Sequence, residues 1–425
     1  MKVSFLTFGC RLNQAETAIL QNSFVKEGFQ IVDSDKNADL VVINTCTVTE
    51  NGDADTRRAV NRICRKQPTA QIALIGCQAQ TQKEELLFNS QVRWIVGNHD
   101  KLRLAALVKE NQNPRPFVLV SSGDSKSFTI DGVGIDRKHT RANLKIQDGC
   151  NYFCAYCEIP YARGRAKSRN FNDIRREANI LVEAGHQEIV LTGINLGCYR
   201  YRGKTLVDVL KTMEKIDGLK RIRISSVEPT TITDDFIETV SESEKICRFF
   251  HIPMQSGDND ILQAMNRKHT IETFSDIIYK IYQAIDDVCL GTDVMVGFPG
   301  ESEQHFINSK TILSALPLAY LHVFSYSDRQ YAKSRMINGK VPKNEINKRS
   351  KILRKLGARK RESYLQNFMH KKVTVLFEQK KKGYWSGLTD TYIRVKTESD
   401  QNLKNQFRQV KLVKIDKQMM LGTLL

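Results

Sequence analysis

The 425-residue sequence predicts an α/β protein in three parts. These are a doubly wound parallel sheet over residues 1–137, a partial (β/α)6 barrel over 138–370, and a small OB-like β-barrel over 371–425. Three observations predict it. Short apolar runs alternate with helical stretches for most of the chain, which is the pattern of parallel sheets. A polar connector, at about 109–141, separates two such series. After residue 370 the pattern changes to closely spaced strand-like runs with turn residues between them.

In the first part, residues 2–8 form an apolar strand that ends at Gly9-Cys10, and 13–26 carry a helical pattern. Residues 38–44 form a second strand, ending at Thr45-Cys46-Thr47, and the polar stretch 53–67 is helical. Residues 71–75 form a third, ending at Gly76-Cys77, and 92–96 a fourth. Cys10, Cys46 and Cys77 thus share one address, just past the carboxyl end of a strand. Open parallel sheets build their sites at that edge. Cys64 falls mid-helix and reads as a plain buried thiol.

In the central part, strands are expected at 142–146, 188–192, 221–225, 249–252, 288–296 and 319–324. Helices are expected at 171–184, 206–216, 234–241, 258–265 and 272–284. Barrel sites gather at the carboxyl ends of strands. Polar groups stand at these ends: Gly193 and Asn195, then Arg223, then Gln255 and Ser256, then Asp293. Gly193 permits close backbone approach by a ligand. Taken singly, each of these stretches also suits an ordinary turn.

In the last part, strand-like runs fall at 373–379, 384–388, 392–395 and 409–415. From Lys371 onwards, 12 Lys and Arg face 5 Asp and Glu. Tyr384, Trp385 and Tyr392 lie among them. Small basic barrels with exposed aromatics suit single-stranded nucleic acid. The same aromatics could equally fill the core.

The net charge of +18 favours a polyanionic partner, most simply nucleic acid, over general solubility charge. Basic stretches at 161–169 and 338–361 add to that reading. No apolar run approaches the ~20 residues of a membrane span, and the N-terminus reads as a strand rather than a signal sequence. The expectation is a cytoplasmic protein. Its ten cysteines then read as metal ligands in a reducing compartment rather than as disulfides.

The chemistry concentrates at Asp148-Gly149-Cys150-Asn151-Tyr152-Phe153-Cys154-Ala155-Tyr156-Cys157. Thiolates are soft ligands that suit iron–sulfur clusters, which usually take four of them. This loop supplies three, spaced C-x3-C-x2-C, and leaves one iron open to bind a substrate or cofactor. Zinc sites prefer paired C-x-x-C units or histidines, and no His lies in the loop. Zinc and unliganded structural cysteines stay as the alternatives.

On these residues the chain resembles the radical-SAM enzymes. Ile159-Pro160-Tyr161-Ala162-Arg163-Gly164-Arg165-Ala166-Lys167-Ser168-Arg169 is similar to an I-P-x-x-R-G-x-x-x-S-R run of their methylthiotransferase branch. Gly9-Cys10-Arg11-Leu12-Asn13-Gln14 and the stretch from Asn44 to Thr49 also resemble that family. The resemblance implies two 4Fe-4S clusters, one on Cys150, Cys154 and Cys157 and one on Cys10, Cys46 and Cys77. It implies an S-adenosylmethionine pocket that includes Gln255, Ser256 and Asp293, with Arg223 near the cofactor. It also implies a reducing electron donor, a sulfur source, and a C-terminal TRAM domain that binds tRNA.

Ile146-Gln147-Asp148-Gly149-Cys150, Thr192-Gly193-Ile194-Asn195-Leu196-Gly197 and Ser226-Val227-Glu228-Pro229 resemble the branch acting on threonylcarbamoyladenosine in tRNA. The sister branch acting on isopentenyladenosine, a third branch acting on a ribosomal protein, and a non-enzymatic iron–sulfur RNA-binding protein stay as alternatives. Two stretches depart from the family pattern. Glu158 follows the third cysteine of the loop, where Ile is usual. Tyr326-Ser327-Asp328-Arg329-Gln330-Tyr331-Ala332-Lys333-Ser334 lacks the Gly-Thr of a Y-S-x-R-x-G-T-x-A run.

Overall fold

The computed structural model describes residues 1–425 apart from 35, 48, 49, 112, 114, 124, 137 and 138, and apart from the side chains of 50 and 51. The boundary expected at 137 and 138 therefore lies outside the described residues. Six parallel strands form the N-terminal sheet. Their order is Gln30–Ile31, Lys2–Thr7, Leu40–Thr45, Gln71–Gly76, Val92–Val96 and Phe117–Leu119. The two outermost strands are additions to the four read from the sequence, and both are too short to show a pattern. The central strands are buried nearly throughout because helices cover both faces. Leu40 and Val42 join one core with Phe24 and Trp94, while Val41 and Ile43 join the other with Val60 and Ile63.

The central part has six parallel strands in two sets of three. Ala142–Lys145, Glu188–Thr192 and Arg221–Ile224 form one set, and Phe249–His251, Cys289–Val296 and Tyr320–Ser325 the other. A bridge between Ile222 and Ile246 joins them. Among the described residues the first and last strands do not pair with each other, so the barrel is open. Helix Arg11–Lys26 of the N-terminal part packs on Ala142–Lys145, and helix Lys343–Gln366 packs on Tyr320–Ser325. Side-chain caps start the covering helices. Asn170, Thr270 and Ser302 each accept a hydrogen bond from backbone N–H groups of the first turn. The polar connector is woven into this part, because Ser127–Phe128 pairs with Lys167–Arg169.

The last part is a closed five-stranded barrel. The strand order is Lys372–Lys381, Tyr384–Leu388, Arg394–Glu398, Met419–Leu424 and Phe407–Asp416. The fifth strand, Met419–Leu424, was not legible because its turn uses Lys417, at φ 59°, in place of the Gly or Asn that usually marks such a hairpin. The aromatics divide differently from a stacking platform. Trp385 lies in the barrel core, and Tyr392 packs on Phe249 of the central barrel with ring centroids 4.6 Å apart. Tyr384 and Tyr392 both stay partly accessible. No helix among the described residues is long and apolar enough to cross a membrane.

Candidate active site between two cysteine trios

The strands ending at Cys10, Cys46 and Cys77 lie side by side in the N-terminal sheet. Neighbouring strands are ~4.8 Å apart, so the sheet itself gathers cysteines that are far apart in sequence. Two asparagines lock the turns. Asn13 Nδ2 donates to Phe8 O at 2.8 Å and to Thr45 O at 3.0 Å, and Asn44 Nδ2 donates to Asn13 O at 3.0 Å. Gly9 holds φ 89°, and a Cβ there would lie 2.8 Å from Cys46 Sγ, so the turn requires glycine.

The second trio is built locally. Cys150 N donates to Gly164 O at 3.1 Å and Cys157 N to Cys154 O at 3.0 Å. Each sulfur faces a donor: Tyr152 N is 3.5 Å from Cys150 Sγ, Ile159 N is 3.4 Å from Cys157 Sγ, and Arg267 Nη1 is 3.5 Å from Cys154 Sγ. Burial pushes the Cys150 thiol up to about 11. The neutral thiol is therefore the form favoured there in the absence of a metal. All ten cysteines are free of disulfides. Two sets of three thiols, one ringed by N–H donors, fit iron–sulfur clusters, whose sulfurs accept such hydrogen bonds.

Arg163 joins the trios. It closes the helix Ile159–Arg163 that follows the loop, and its side chain is wholly buried. Nε donates to Cys77 Sγ at 3.2 Å, Nη1 to Asp148 and Glu16 at 3.0 Å each, and Nη2 to Asn13 Oδ1 at 2.6 Å. Lys101 and Lys145 complete this buried group. Burial alone would raise the Glu16 carboxyl, but Arg163, Lys101 and Lys145 hold it well below the usual carboxylate range.

A cavity of about 160 Å³ is lined by residues that neighbour both trios. Thr47, beside Cys46, forms one wall; Cys157 and Glu158 form another; Gln255, Asp293 and Phe324 close it from the barrel. The expected pocket residues separate here. Gln255, at φ 72°, and Asp293 line the cavity, and Asp293 meets His251 Nε2 at 2.9 Å and His322 Nδ1 at 3.3 Å. Burial opposes its ionisation, yet the two imidazoles hold its carboxyl well below the usual range. Asn195 is 2% exposed, and neither polar atom of its carboxamide has a hydrogen-bond partner, so it keeps donors and an acceptor for a ligand.

Three residues do not face the cavity as expected. Ser256 turns its hydroxyl to Ser309, 3.4 Å away. Gly193 makes room for Gln147, whose Oε1 a Cβ would approach to 2.9 Å. Arg223 faces the C-terminal barrel. Its guanidinium pairs with Glu188 at 2.8 Å and donates to the carbonyls of Thr389 and Asp390, so it anchors the C-terminal barrel. The basic run on helix Lys343–Gln366 also divides. Arg349 pairs with Glu301, while Lys360 and Arg361 donate to backbone carbonyls; Lys351, Lys355 and Arg359 face solvent.

Other residues of the site were not singled out as site residues. Arg163, the Asp293 imidazoles and the partners of Glu158 all depend on contacts distant in sequence. The only signals in the chain were the two departures from the family pattern, at Glu158 and at 326–334, which meet in space. Glu158 is buried, and its Oε2 accepts from Thr47 Oγ1 at 3.0 Å and from Arg329 Nε at 3.2 Å. Its Oε1 accepts from Tyr331 N at 2.9 Å.

An open parallel barrel with a three-cysteine loop at its mouth defines a radical-SAM protein. The Radical SAM superfamily matches residues 144–311, and "Uncharacterized protein family UPF0004" matches 2–97. The fold is shared with the radical S-adenosylmethionine methyltransferase TsrM of Kitasatospora setae, at TM-score 0.57 and 14% identity, over 76% of this chain and 72% of that one. Threonylcarbamoyladenosine tRNA methylthiotransferase MtaB of Bacillus subtilis (strain 168) is 34% identical over 97% of this chain and 94% of its own length. Its namesake in Aquifex aeolicus (strain VF5) is 35% identical over 94% and 97%. The tRNA-2-methylthio-N(6)-dimethylallyladenosine synthase of Alkaliphilus oremlandii (strain OhILAs) is 32% identical over 89% and 82%. The chain belongs to the radical-SAM tRNA methylthiotransferase family, enzymes that use S-adenosylmethionine and iron–sulfur clusters.

Proposed function

We propose that this enzyme replaces the hydrogen on carbon 2 of N6-threonylcarbamoyladenosine, at tRNA position 37, with a methylthio group. The observation that carries the reading is the cavity bounded by both cysteine-bearing loops, Thr47 on one side and Cys157 on the other. That carbon is unactivated, so acid–base chemistry does not break its C–H bond at neutral pH. Bound at Cys150, Cys154 and Cys157 and at Cys10, Cys46 and Cys77, two 4Fe-4S clusters with S-adenosylmethionine supply the radical, the sulfur and the methyl group. Gln255, Asp293 and Asn195 would hold the polar groups of S-adenosylmethionine. Phe324, 41% exposed on the last strand of the barrel, would face an adenine base turned out of the anticodon loop.

Residues 1–137 then form the methylthiotransferase domain, 138–370 the radical-SAM barrel and 371–425 a TRAM-like tRNA-binding barrel. The last carries 12 basic against 5 acidic residues from Lys371, and Lys351, Lys355 and Arg359 extend the basic surface. A cytoplasmic enzyme supplied by a reducing electron donor and a sulfur source fits this chemistry. The test is mass spectrometry of tRNA nucleosides from cells with and without the gene. The expected result is loss of the methylthio-threonylcarbamoyl nucleoside with accumulation of its precursor. Loss of the methylthio-dimethylallyl nucleoside would move the enzyme to the sister substrate, and no change in either would overturn the reading.

A further inference from the structure

The two stretches that depart from the family pattern meet in space. Glu158 is 4% exposed, and a buried carboxylate needs a partner. Arg329 supplies it from 171 residues away, with Nε 3.2 Å from Glu158 Oε2. The same guanidinium donates to Thr47 Oγ1 at 2.9 Å and pairs with Asp53 at 2.8 Å. Thr47 follows Cys46, Asp53 lies in helix Glu50–Lys66, and Glu158 follows Cys157. One cation thus holds the loops of both trios.

Tyr331 sits where the family run has glycine and extends the fastening. Its N–H donates to Glu158 Oε1, its hydroxyl donates to Thr81 O at 3.0 Å, and its ring stacks on Tyr161 with centroids 5.7 Å apart. Thr81 lies in helix Cys77–Gln82, which opens with the third cysteine of the N-terminal trio. The segment 326–334 therefore touches the neighbourhoods of Cys46, Cys77 and Cys157. Ser327 also lines the shared cavity.

We propose that Arg329 and Glu158 are positioning residues that fix the separation of the two cysteine trios, with Tyr331 as a second fastening, and so couple cofactor cleavage to methylthio transfer in this enzyme. The coupling half of this inference rests on the function proposed above. The fastening half does not.

Two readouts separate them. The first uses the full-length protein with its clusters and hydrogen exchange by mass spectrometry. Arg329→Met should speed exchange about tenfold in peptides covering 326–334 and 43–56, and Arg329→Lys should restore most of the protection. The paired change Glu158→Met with Arg329→Met controls for an unpaired buried charge, since apolar replacement of a buried ion pair is often neutral for stability. It should regain stability while exchange in both peptides stays fast.

The second readout uses reconstituted enzyme and tRNA. For Arg329→Met, iron content should stay at the wild-type level. The ratio of 5′-deoxyadenosine to methylthiolated nucleoside should rise about tenfold, that is ~1.4 kcal/mol of lost coupling. Unchanged exchange in the two peptides would overturn the fastening. Iron content, cleavage and product falling together at a constant ratio would overturn the positioning role. If wild-type enzyme makes no methylthiolated nucleoside, the functional reading fails while the exchange result still decides the fastening.

Discussion

Cys150, Cys154 and Cys157 are assembled by a single loop, while Cys10, Cys46 and Cys77 are assembled by a whole sheet. The loop trio relies on hydrogen bonds between residues close in sequence, such as Cys157 N to Cys154 O. The sheet trio relies on three strands lying in the right order, tied by Asn13 and Asn44. Damage to the N-terminal sheet should therefore scatter one trio and spare the other. The two are also unequal in electrostatic setting. The loop sulfurs meet backbone N–H groups and Arg267, whereas Cys77 meets the guanidinium of Arg163.

Cys154→Ser gives the largest effect expected from this contrast. Formation of 5′-deoxyadenosine on reduction with S-adenosylmethionine should fall below detection, and persistence at the wild-type rate would remove the loop from radical chemistry. Cys46→Ser should instead keep 5′-deoxyadenosine formation and stop methylthiolation, with bound iron dropping from about eight to about four per chain. Normal thiolation by that variant would break the comparison outright.

Arg163→Met removes one of the two cations that Glu16 and Asp148 share, leaving Lys145 to face both buried carboxylates. A loss of about 3–5 kcal/mol in chemical denaturation is expected, with the N-terminal part unfolding first. Uniform melting of the whole chain would show that the parts are not separable.

Glu188 tests the barrel's other end. Burial would raise its carboxyl, but Arg223 and Arg221 bring it from 4.5 down to about 2. A depressed carboxyl adds stability that is full above the ordinary value and is lost as pH falls through the folded one. About 3 kcal/mol should therefore disappear between pH 4.5 and 2, and Glu188→Gln should flatten that slope. An unchanged slope would mean the pair does not act in folding. Smallest of all, Lys351→Gln with Lys355→Gln should lower the salt slope of tRNA binding by roughly 0.7–0.9 per lysine. A slope equal to wild type would take helix Lys343–Gln366 out of the RNA surface.

Much of this was legible beforehand, for definite reasons. The strand 188–192 was read at its observed bounds because an apolar run closed by Thr-Gly has few other uses. The sheet trio was legible because parallel topology gives every strand end the same address. The contacts of Arg223 were not legible because its place on a strand does not reveal the partner that its guanidinium reaches, here Glu188 and two carbonyls more than 160 residues on. Arg329 was visible as part of a motif, but its pairing with Glu158 across 171 residues has no local trace. Trp385 and Tyr392 show the limit of composition: aromatics among lysines filled a core and an interface.

Arg11, next to Cys10, donates to the hydroxyl of Tyr392 at 3.2 Å, a contact between residues 381 apart in sequence. The ribosome adds ~5–20 residues each second, so Arg11 waits roughly 20 to 80 seconds for that partner to be made. The N-terminal sheet is thus born first and finished last. The helix that begins at the first cysteine gains its final contact only when translation is nearly over, and a chain cut short before Tyr392 never gains it.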